Sequence, residues 1–308
     1  MSANLHISIS AEPVFHLGNL AITNSILTSL IVSTLIISFA VAVNWSLTIA
    51  KSTKKIGTLQ NLAEFLVEGL YNLIQSVTND HTKTRRFMPL IVAYFVFILC
   101  NNWFGLLPGV GTIGFKEVAE GEEQVVLLQQ DLSLPVAQVQ ASETKPLEVA
   151  EPNQVSNTTT EIAETNVDSE AKSKSPVFVP YFRAGTADLN TTIALAMITQ
   201  FAAQFWGLSY LKFDYIKKFI NFSSPIMFFV GILELVGEFS KVMSYAFRLF
   251  GNIFAGEVLL TVISALVPLV VPMAFYGLEI FVGAIQAFVF SLLSIIFYQV
   301  ATLGHHYE

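Results

Sequence analysis

Stretches of about 20 apolar residues recur along this chain of 308 residues and constrain its fold more than any other feature. A helix of about 20 apolar residues is long enough to cross the hydrocarbon core of a bilayer. Hydrophobic residues make up 53% of the chain and charged residues only 13%, as several such helices require. The sequence therefore predicts an all-α membrane protein.

Five stretches predict transmembrane helices, at residues 22–49, 87–107, 190–211, 225–266 and 273–302. In a sixth stretch, 57–77, the apolar residues fall on one side of a helix and the polar residues on the other, which predicts an amphipathic helix lying on the membrane surface. A helix over 225–266 is about twice as long as the hydrocarbon core is thick. We expect it to form a long, strongly tilted hairpin with the last span.

Charge divides the chain into three parts. Residues 116–177 hold twelve acidic residues against four lysines and no helical apolar stripe, which predicts a disordered or loosely ordered acidic insert. Residues 1–115 are expected to hold two spans and the surface helix, and residues 178–308 the other three spans. Basic residues follow the first and third spans, so the N-terminus and the insert are expected outside and the C-terminus in the cytoplasm. The 11 acidic and 12 basic residues elsewhere give no support to nucleic-acid binding.

Arg248 is the most unusual residue of the spans, because it lies in the middle of the apolar stretch 239–260. A charge that stays ionised is costly in hydrocarbon, so an arginine there faces a protein partner or a water-filled path. At about 100° per residue, Arg248 and Asn252 share one stripe of the helix with Glu234 and Lys241, and Glu257 points to the opposite side.

The next helix carries Glu279, Gly283 and Gln286 on one face. A carboxyl group in a path of low dielectric constant can take up and release protons, and amide side chains can hold water between such groups. The sequence therefore predicts a proton path from a set of five residues: Arg248, Asn252, Glu257, Glu279 and Gln286.

Other roles are open for several of these polar residues. Glu234, Glu238 and Lys241 are expected on the cytoplasmic side, where charges at this spacing need no role in transport. Asn252 and Gln286 suit a hydrogen bond between helices. Glu257 and Glu279 each suit an ion pair with a basic residue, and Arg248 suits a side chain that extends to the headgroups.

No pattern in the sequence predicts catalysis, a cofactor or a metal site. The chain has one cysteine, Cys100, inside an apolar run, and we expect His305 and His306 in a solvated tail. It has no nucleotide-binding loop and no nucleophilic triad, so the chain itself is not expected to be an enzyme.

Several motifs closely resemble those of one family, subunit a of the rotary F-type ATP synthase. The most specific is RLFGN at 248–252, followed by AGE at 255–257. Glu279, seven residues before QAF at 286–288, resembles the last helix of that family. ADLNTT at 187–192 and LLP at 106–108 add to the resemblance, which covers nearly the whole chain except the acidic insert.

The resemblance implies a non-catalytic, proton-conducting stator subunit of the Fo sector in a bacterial plasma membrane. It implies that Arg248 faces the essential carboxylate of each passing c subunit, and that two offset half-channels let proton flow drive rotation and ATP synthesis. Residues such as Asn252, Glu257, Glu279 and Gln286 line or support the outer route, and Asp188 and Asn190 lie near its entrance. The implied partners are the c-ring, the b-subunit peripheral stalk, the remaining F1Fo subunits and the lipid bilayer.

Two other classes of function compete with this interpretation. A self-contained ion-coupled transporter is disfavoured because the chain shows no internal repeat and no paired broken helices. A membrane scaffold or assembly protein would use its charges only for helix association.

Overall fold

The computed structural model describes residues 11–17, 20–53, 58–107, 109–111, 113–117, 177–219, 224–267 and 270–303. The chain divides into two compact units, one made of Met1–Phe115 with Phe178–Glu308 and the other of Lys116–Val177. The fold described below is that of the first unit. The predicted disorder of the acidic insert and the predicted solvated tail with His305 and His306 lie outside the described residues.

Helices dominate the described part of the chain. In order they are α1 (Asn24–Thr53), α2 (Thr58–Thr78), α3 (His81–Gly105), α4 (Leu189–Leu211), α5 (Phe213–Phe219), α6 (Pro225–Leu266) and α7 (Val271–Ala301). A 3₁₀ turn at Gly185–Ala187 precedes α4. Among the described residues, four segments are long and apolar enough to cross a membrane: Asn24–Thr48 and the whole of α3, α6 and α7.

The structure supports four of the five expected spans by length and composition. The remaining one, expected at 190–211, forms the helix α4 but is not among the four. Its threonines and the glutamines Gln200 and Gln204 make it less apolar than the others. The expected surface helix at 57–77 forms α2, whereas its position at a membrane surface stays a prediction.

Two short strands precede the first span, in a chain expected to be all helical. β1 (Pro13–Leu17) and β2 (Leu20–Thr23) pair antiparallel, with Phe15 opposite Ile22. The amide of Asn24 donates to the carbonyl of Glu12 at 3.0 Å and closes this hairpin where α1 begins. The first span was expected from residue 22, but the strand pairing delays the helix by two residues.

The two ends of the acidic insert lie beside each other in the first unit. Two further strands, β3 (Gly114–Glu117) and β4 (Val177–Pro180), occur at these ends. The amide of Tyr181 donates to the carbonyl of Ile113 at 2.9 Å, and the ring of Tyr181 lies 5.4 Å from that of Phe115. The chain therefore leaves and re-enters the helical unit at one place.

The helix α3 begins at His81, six residues before the start of the span expected at 87–107. Asp80 is the reason, because its carboxylate accepts hydrogen bonds from the amides of Thr82 at 2.7 Å and Lys83 at 3.4 Å. These bonds satisfy backbone donors that have no partner within the helix. The basic residues that follow Asp80 therefore belong to the first turns of α3 and not to a loop before it.

Helices α3, α4, α6 and α7 enclose the core. Phe87 and Ile91 of α3 are fully buried, and the ring of Phe87 lies 5.5 Å from that of Tyr298 on α7. Tyr245 of α6 stacks edge-on against Phe290 of α7 at 4.9 Å. The outer faces of α1 and α6 instead expose large apolar side chains, which suits helices that contact lipid.

The helix α6 has 42 residues, and its bounds are those expected from the sequence. It begins at Pro225, where a missing amide hydrogen is harmless, and ends before Val267. Its length is about 63 Å at the usual rise of a helix. The helix α7 begins at Val271, two residues before the expected start at 273. The tilt of the two helices in a membrane stays a prediction.

Candidate functional site

Arg248 lies on the exposed side of α6, with the buried Leu249 as its neighbour on the core side. Its guanidinium forms no hydrogen bond and no ion pair with any residue that the structure describes. The adjacent Phe247 is 50% exposed, and Ser244 and Asn252, one turn before and one turn after Arg248, are exposed as well. This arrangement leaves Arg248 open to a charged group from outside the described chain.

Asn252, one turn after Arg248, links α6 to α7. Its Nδ2 donates to Oε1 of Gln286 at 2.7 Å, which is the interhelical hydrogen bond that the sequence left open for these two residues. The Nε2 of Gln286 is buried and has no hydrogen-bond partner among the described residues. Gln286 therefore retains one donor that a water molecule or a proton-carrying group could use.

Glu279 is buried between α7 and α6. An ideal Cβ placed on Gly256 would clash with its carboxyl group, so a larger residue at this position would force the carboxyl group to move. Within the described part of the chain, the carboxyl group has neither a hydrogen bond nor an ion pair. The ion pair with a basic residue that the sequence left open for Glu279 is thus not formed there.

Glu257, the residue after Gly256, does form such a pair. Its Oε2 lies 3.0 Å from Nε of Arg183, a residue that the sequence analysis did not single out. Arg183 is 6% exposed and its guanidinium lies 5.7 Å from the centre of the Phe254 ring. The pair joins residues 74 positions apart, and no local pattern in the sequence points to it.

Glycine also brings α7 close to α3. A Cβ on Gly283 would lie 3.1 Å from Cβ of Asn102, whose Nδ2 donates to the carbonyl of Gly283 at 3.1 Å. Oδ1 of Asn102 accepts from the hydroxyl of Thr186 in the 3₁₀ turn. A chain of buried polar groups thus runs from this turn to the helix that carries Glu279. The adjacent asparagines Asn101 and Asn102, inside an apolar run, were the signal that could have revealed it.

Asp188 and Asn190, the expected entrance residues, lie at the start of α4. Asp188 is buried and caps the helix by accepting from the amide of Asn190 at 3.0 Å. Its Oδ2 is buried without a hydrogen-bond partner among the described residues, whereas the side chain of Asn190 is exposed. Asp188 therefore has a clear structural role in addition to any role in transport.

Two of the sequence motifs are therefore joined by direct contacts between α6 and α7. A family model described as ATP synthase A chain matches residues 26–299 of the chain. The chain belongs to the ATP synthase A chain family. Members of this family are proton-translocating, non-catalytic membrane subunits of the Fo sector, and they associate with the rest of the ATP synthase, including the c-ring. The predicted resemblance is confirmed, and so is the assignment to proton transport and ATP synthesis.

Glu238 lies at the centre of a second polar cluster of the chain. Lys241 Nζ donates to its Oε1 at 2.8 Å, Gln204 Nε2 donates to its Oε2 at 3.1 Å, and Gln200 also donates to Oε2. Lys218 Nζ lies 4.0 Å from Glu238 and 2.7 Å from Glu234. Glu234, Glu238 and Lys241 are thus tied into a network with α4 and α5, as expected for charges that hold helices together.

Tyr215 of α5 also belongs to this polar cluster. Its hydroxyl donates to Oε1 of Gln204 at 2.7 Å. Burial, reinforced by the carboxylates of Glu238 and Glu234, raises the pKa of Tyr215 far above its usual value. The hydroxyl therefore stays protonated and remains a donor to Gln204.

Proposed function

We propose that this chain is the stator that lets protons cross the membrane only by way of the rotating c-ring. In this proposal, Arg248 faces the essential carboxylate of each passing c subunit, and two offset half-channels lead to that place from opposite sides of the membrane. The observation that carries the proposal is the exposed guanidinium of Arg248, which has no partner among the described residues. An exposed charge on a face that contacts lipid or protein requires a counter-charge from a partner.

Arg248 acts electrostatically and not as a proton relay. A guanidinium stays protonated near neutral pH, so it cannot release a proton to a neighbouring group. Its positive charge favours the ionised carboxylate of a c subunit and repels free protons from the space between the half-channels. Protons then cross only when the ring turns.

The outer half-channel is proposed to run beside α6 and α7. Asn252, Gln286, Glu257 and Glu279 line or support it. The hydrogen bond from Asn252 to Gln286, one turn of α6 from Arg248, supports a route beside this residue. Asp188 and Asn190 are proposed to lie near its entrance, where the buried Oδ2 of Asp188 has a free acceptor site among the described residues.

The cytoplasmic half-channel is proposed to pass near Glu234, Glu238 and Lys241. The hydrogen bonds that tie Glu238 to α4 support a structural role for this carboxylate at the wall of the route. The expected cytoplasmic location of this cluster rests on the positions of the lysines.

The topology proposed for the chain in its membrane has five spans, which are the four segments named above and α4, and it places α2 on the membrane surface. The helices α6 and α7 form a strongly tilted hairpin, because α6 at about 63 Å is too long to stand upright. The N-terminus and the acidic insert lie outside a bacterial plasma membrane and the C-terminus lies in the cytoplasm. The b-subunit peripheral stalk is a further proposed partner.

Replacing Arg248 with alanine in the assembled ATP synthase tests the proposal. We expect coupled ATP synthesis and ATP-driven proton pumping in liposomes to be lost, with this chain still present in the purified complex. Ser240→Ala is the matched control, since Ser240 is also exposed on α6 and, within the described part of the chain, donates only to the carbonyl of Val236 in its own helix.

Two other outcomes would contradict the proposal. Dispersal of the complex on Arg248→Ala would favour a membrane scaffold whose charges serve assembly. Proton transport by the purified chain alone, without the c-ring, would favour a self-contained transporter.

A further inference from the structure

We propose that Arg183 is a positioning residue that holds Glu257 as a paired carboxylate, so that Glu279 alone of the two acids exchanges protons on the outer route. This inference rests on the proposed function, because it divides the work between two residues of the proposed path.

Glu257 belongs to α6, and Glu279 of α7 packs against the preceding residue of α6, Gly256. The surroundings of the two carboxyl groups differ. Glu279 lies against Gly256, and no described residue donates to it or pairs with it. Glu257 turns towards the segment before α4, where Arg183 Nε lies 3.0 Å from its Oε2. One acid is thus held by a cation and the other is not.

Arg183 is fixed in place by its surroundings. Its side chain is 6% exposed, its amide donates to Thr28 Oγ1 at 3.3 Å, and its guanidinium lies over the ring of Phe254. A buried guanidinium at hydrogen-bonding distance binds a carboxylate strongly and in one orientation. Glu257 therefore has little freedom to turn towards Glu279 or Gln286.

Proton binding has a different cost at the two acids. A proton on Glu257 would remove the charge that pairs with Arg183, whose side chain is 6% exposed while that of Glu257 is 41% exposed. Leaving the buried guanidinium without its counter-charge is costly. A proton on Glu279 disrupts no interaction with a described residue. Of the other charged groups near this part of α6, Asp188 is held as the cap of α4. Glu279 is therefore the group free to gain and lose a proton.

Arg183 also links two parts of the fold. It follows β4, at the end of the acidic insert, and the ion pair ties this segment to α6. Glu257 thus acts as a fixed negative charge at the side of the route, while Arg183 prevents it from competing with Glu279 for protons.

The test compares single and double variants in the complete ATP synthase reconstituted in liposomes. We expect Arg183→Gln to lower ATP-driven proton pumping by about fivefold, because it releases Glu257 as a second proton-binding group. Adding Glu257→Gln should restore pumping to within about twofold of the wild type, since no released acid remains. Arg183→Lys, which keeps the charge but not the geometry of the guanidinium, should lose less pumping than Arg183→Gln. Glu279→Gln should lower pumping at least about tenfold in either background.

A role of Arg183 in folding alone would not produce this rescue by a second substitution. If the double variant assembles and pumps no better than Arg183→Gln, Glu257 is itself a proton carrier and the inference is wrong. If the double variant does not assemble, the reversed pair Arg183→Glu with Glu257→Arg answers the same question, because it moves the carboxylate off α6. Failure of both pairs to assemble, while Arg183→Lys does, would also overturn the inference.

Arg248→Ala, measured in the same liposomes, separates the two proposals. If it pumps normally, the proposed function has failed and the division of work between the acids has no basis. If Arg248→Ala is inactive and the double variant is inactive as well, only the inference about Arg183 has failed.

Discussion

Asn252 donates to Gln286 across the contact between α6 and α7, with Nδ2 of the first 2.7 Å from Oε1 of the second. Because Nε2 of Gln286 already lacks a partner among the described residues, removing Asn252 would leave its whole amide group without one. We expect Asn252→Leu to destabilise the chain by about 1–3 kcal/mol, the cost of leaving a buried polar group unsatisfied. The thermal unfolding of the purified complex measures this loss.

Asn252→Leu should also lower proton pumping, because the proposed route next to Arg248 would lose a polar side chain. Ser240→Ala again provides the control, since it removes a hydroxyl group from an exposed position on the same helix. Unchanged stability and unchanged pumping in Asn252→Leu would show that the link to Gln286 has no role.

Gly256 leaves room for the carboxyl group of Glu279, and a single added methyl group tests this fit. The Cβ of Gly256→Ala would clash with the carboxyl group, so Glu279 must move. Overpacking of this kind costs up to about 1–3 kcal/mol, and displacing a group that is proposed to transfer protons should lower pumping by roughly tenfold. Measuring ATP-driven proton pumping and complex assembly separates the two effects.

Gly277→Ala on α7 is the matched control, because an ideal Cβ there meets nothing within 4 Å. It should assemble and pump like the wild type. Equal effects of the two substitutions would mean that the approach of Glu279 to Gly256 is unimportant.

The sequence predicted the helices of this fold well because their apolar periodicity is local. The bounds expected for the long helix agree with those of α6, and α4 begins one residue before the span expected at 190–211. The start of α3 was wrong because a hydrophobicity pattern does not register the cap that Asp80 provides. The strands β1 and β2 were missed because they are only five and four residues long, and their pairing depends on contacts between two short segments.

The candidate site was only partly predictable, for a different reason. The common stripe of Arg248 and Asn252 follows from helical spacing within one segment. The ion pair of Arg183 with Glu257 joins segments that only the tertiary fold brings together, and Arg183 stands alone outside any span. The contact of Gly256 with Glu279 likewise depends on how α7 packs on α6.

Glu238 and Glu234 differ in how strongly they are bound, which predicts different costs for neutralising them. Glu238 accepts from Lys241 and from two glutamines of α4, and it is 11% exposed. Glu234 pairs with Lys218 and is 35% exposed. We expect Glu238→Gln to destabilise the chain by about 1–3 kcal/mol and Glu234→Gln by less than about 1 kcal/mol. Thermal unfolding of the two variant complexes, compared side by side, measures the difference, and a larger loss for Glu234→Gln would contradict the network described here.

Asp80 predicts how the start of α3 responds to acid. Its hydrogen bond from the amide of Thr82, more than any other interaction, lowers the pKa of its carboxyl group below the ordinary value of 3.8. A group whose pKa is lower in the folded state stabilises the fold above its unfolded pKa and loses this effect as pH falls through the folded one. The stability difference between the wild type and Asp80→Ala should thus be constant at neutral pH and shrink below pH 3.8. Asp80→Asn, whose amide oxygen can still cap the helix without titrating, should differ from Asp80→Ala by an amount that does not change with pH. Hydrogen exchange of the first amides of α3, measured against pH in all three proteins, tests this expectation, and a wild-type advantage that grows as pH falls would contradict it.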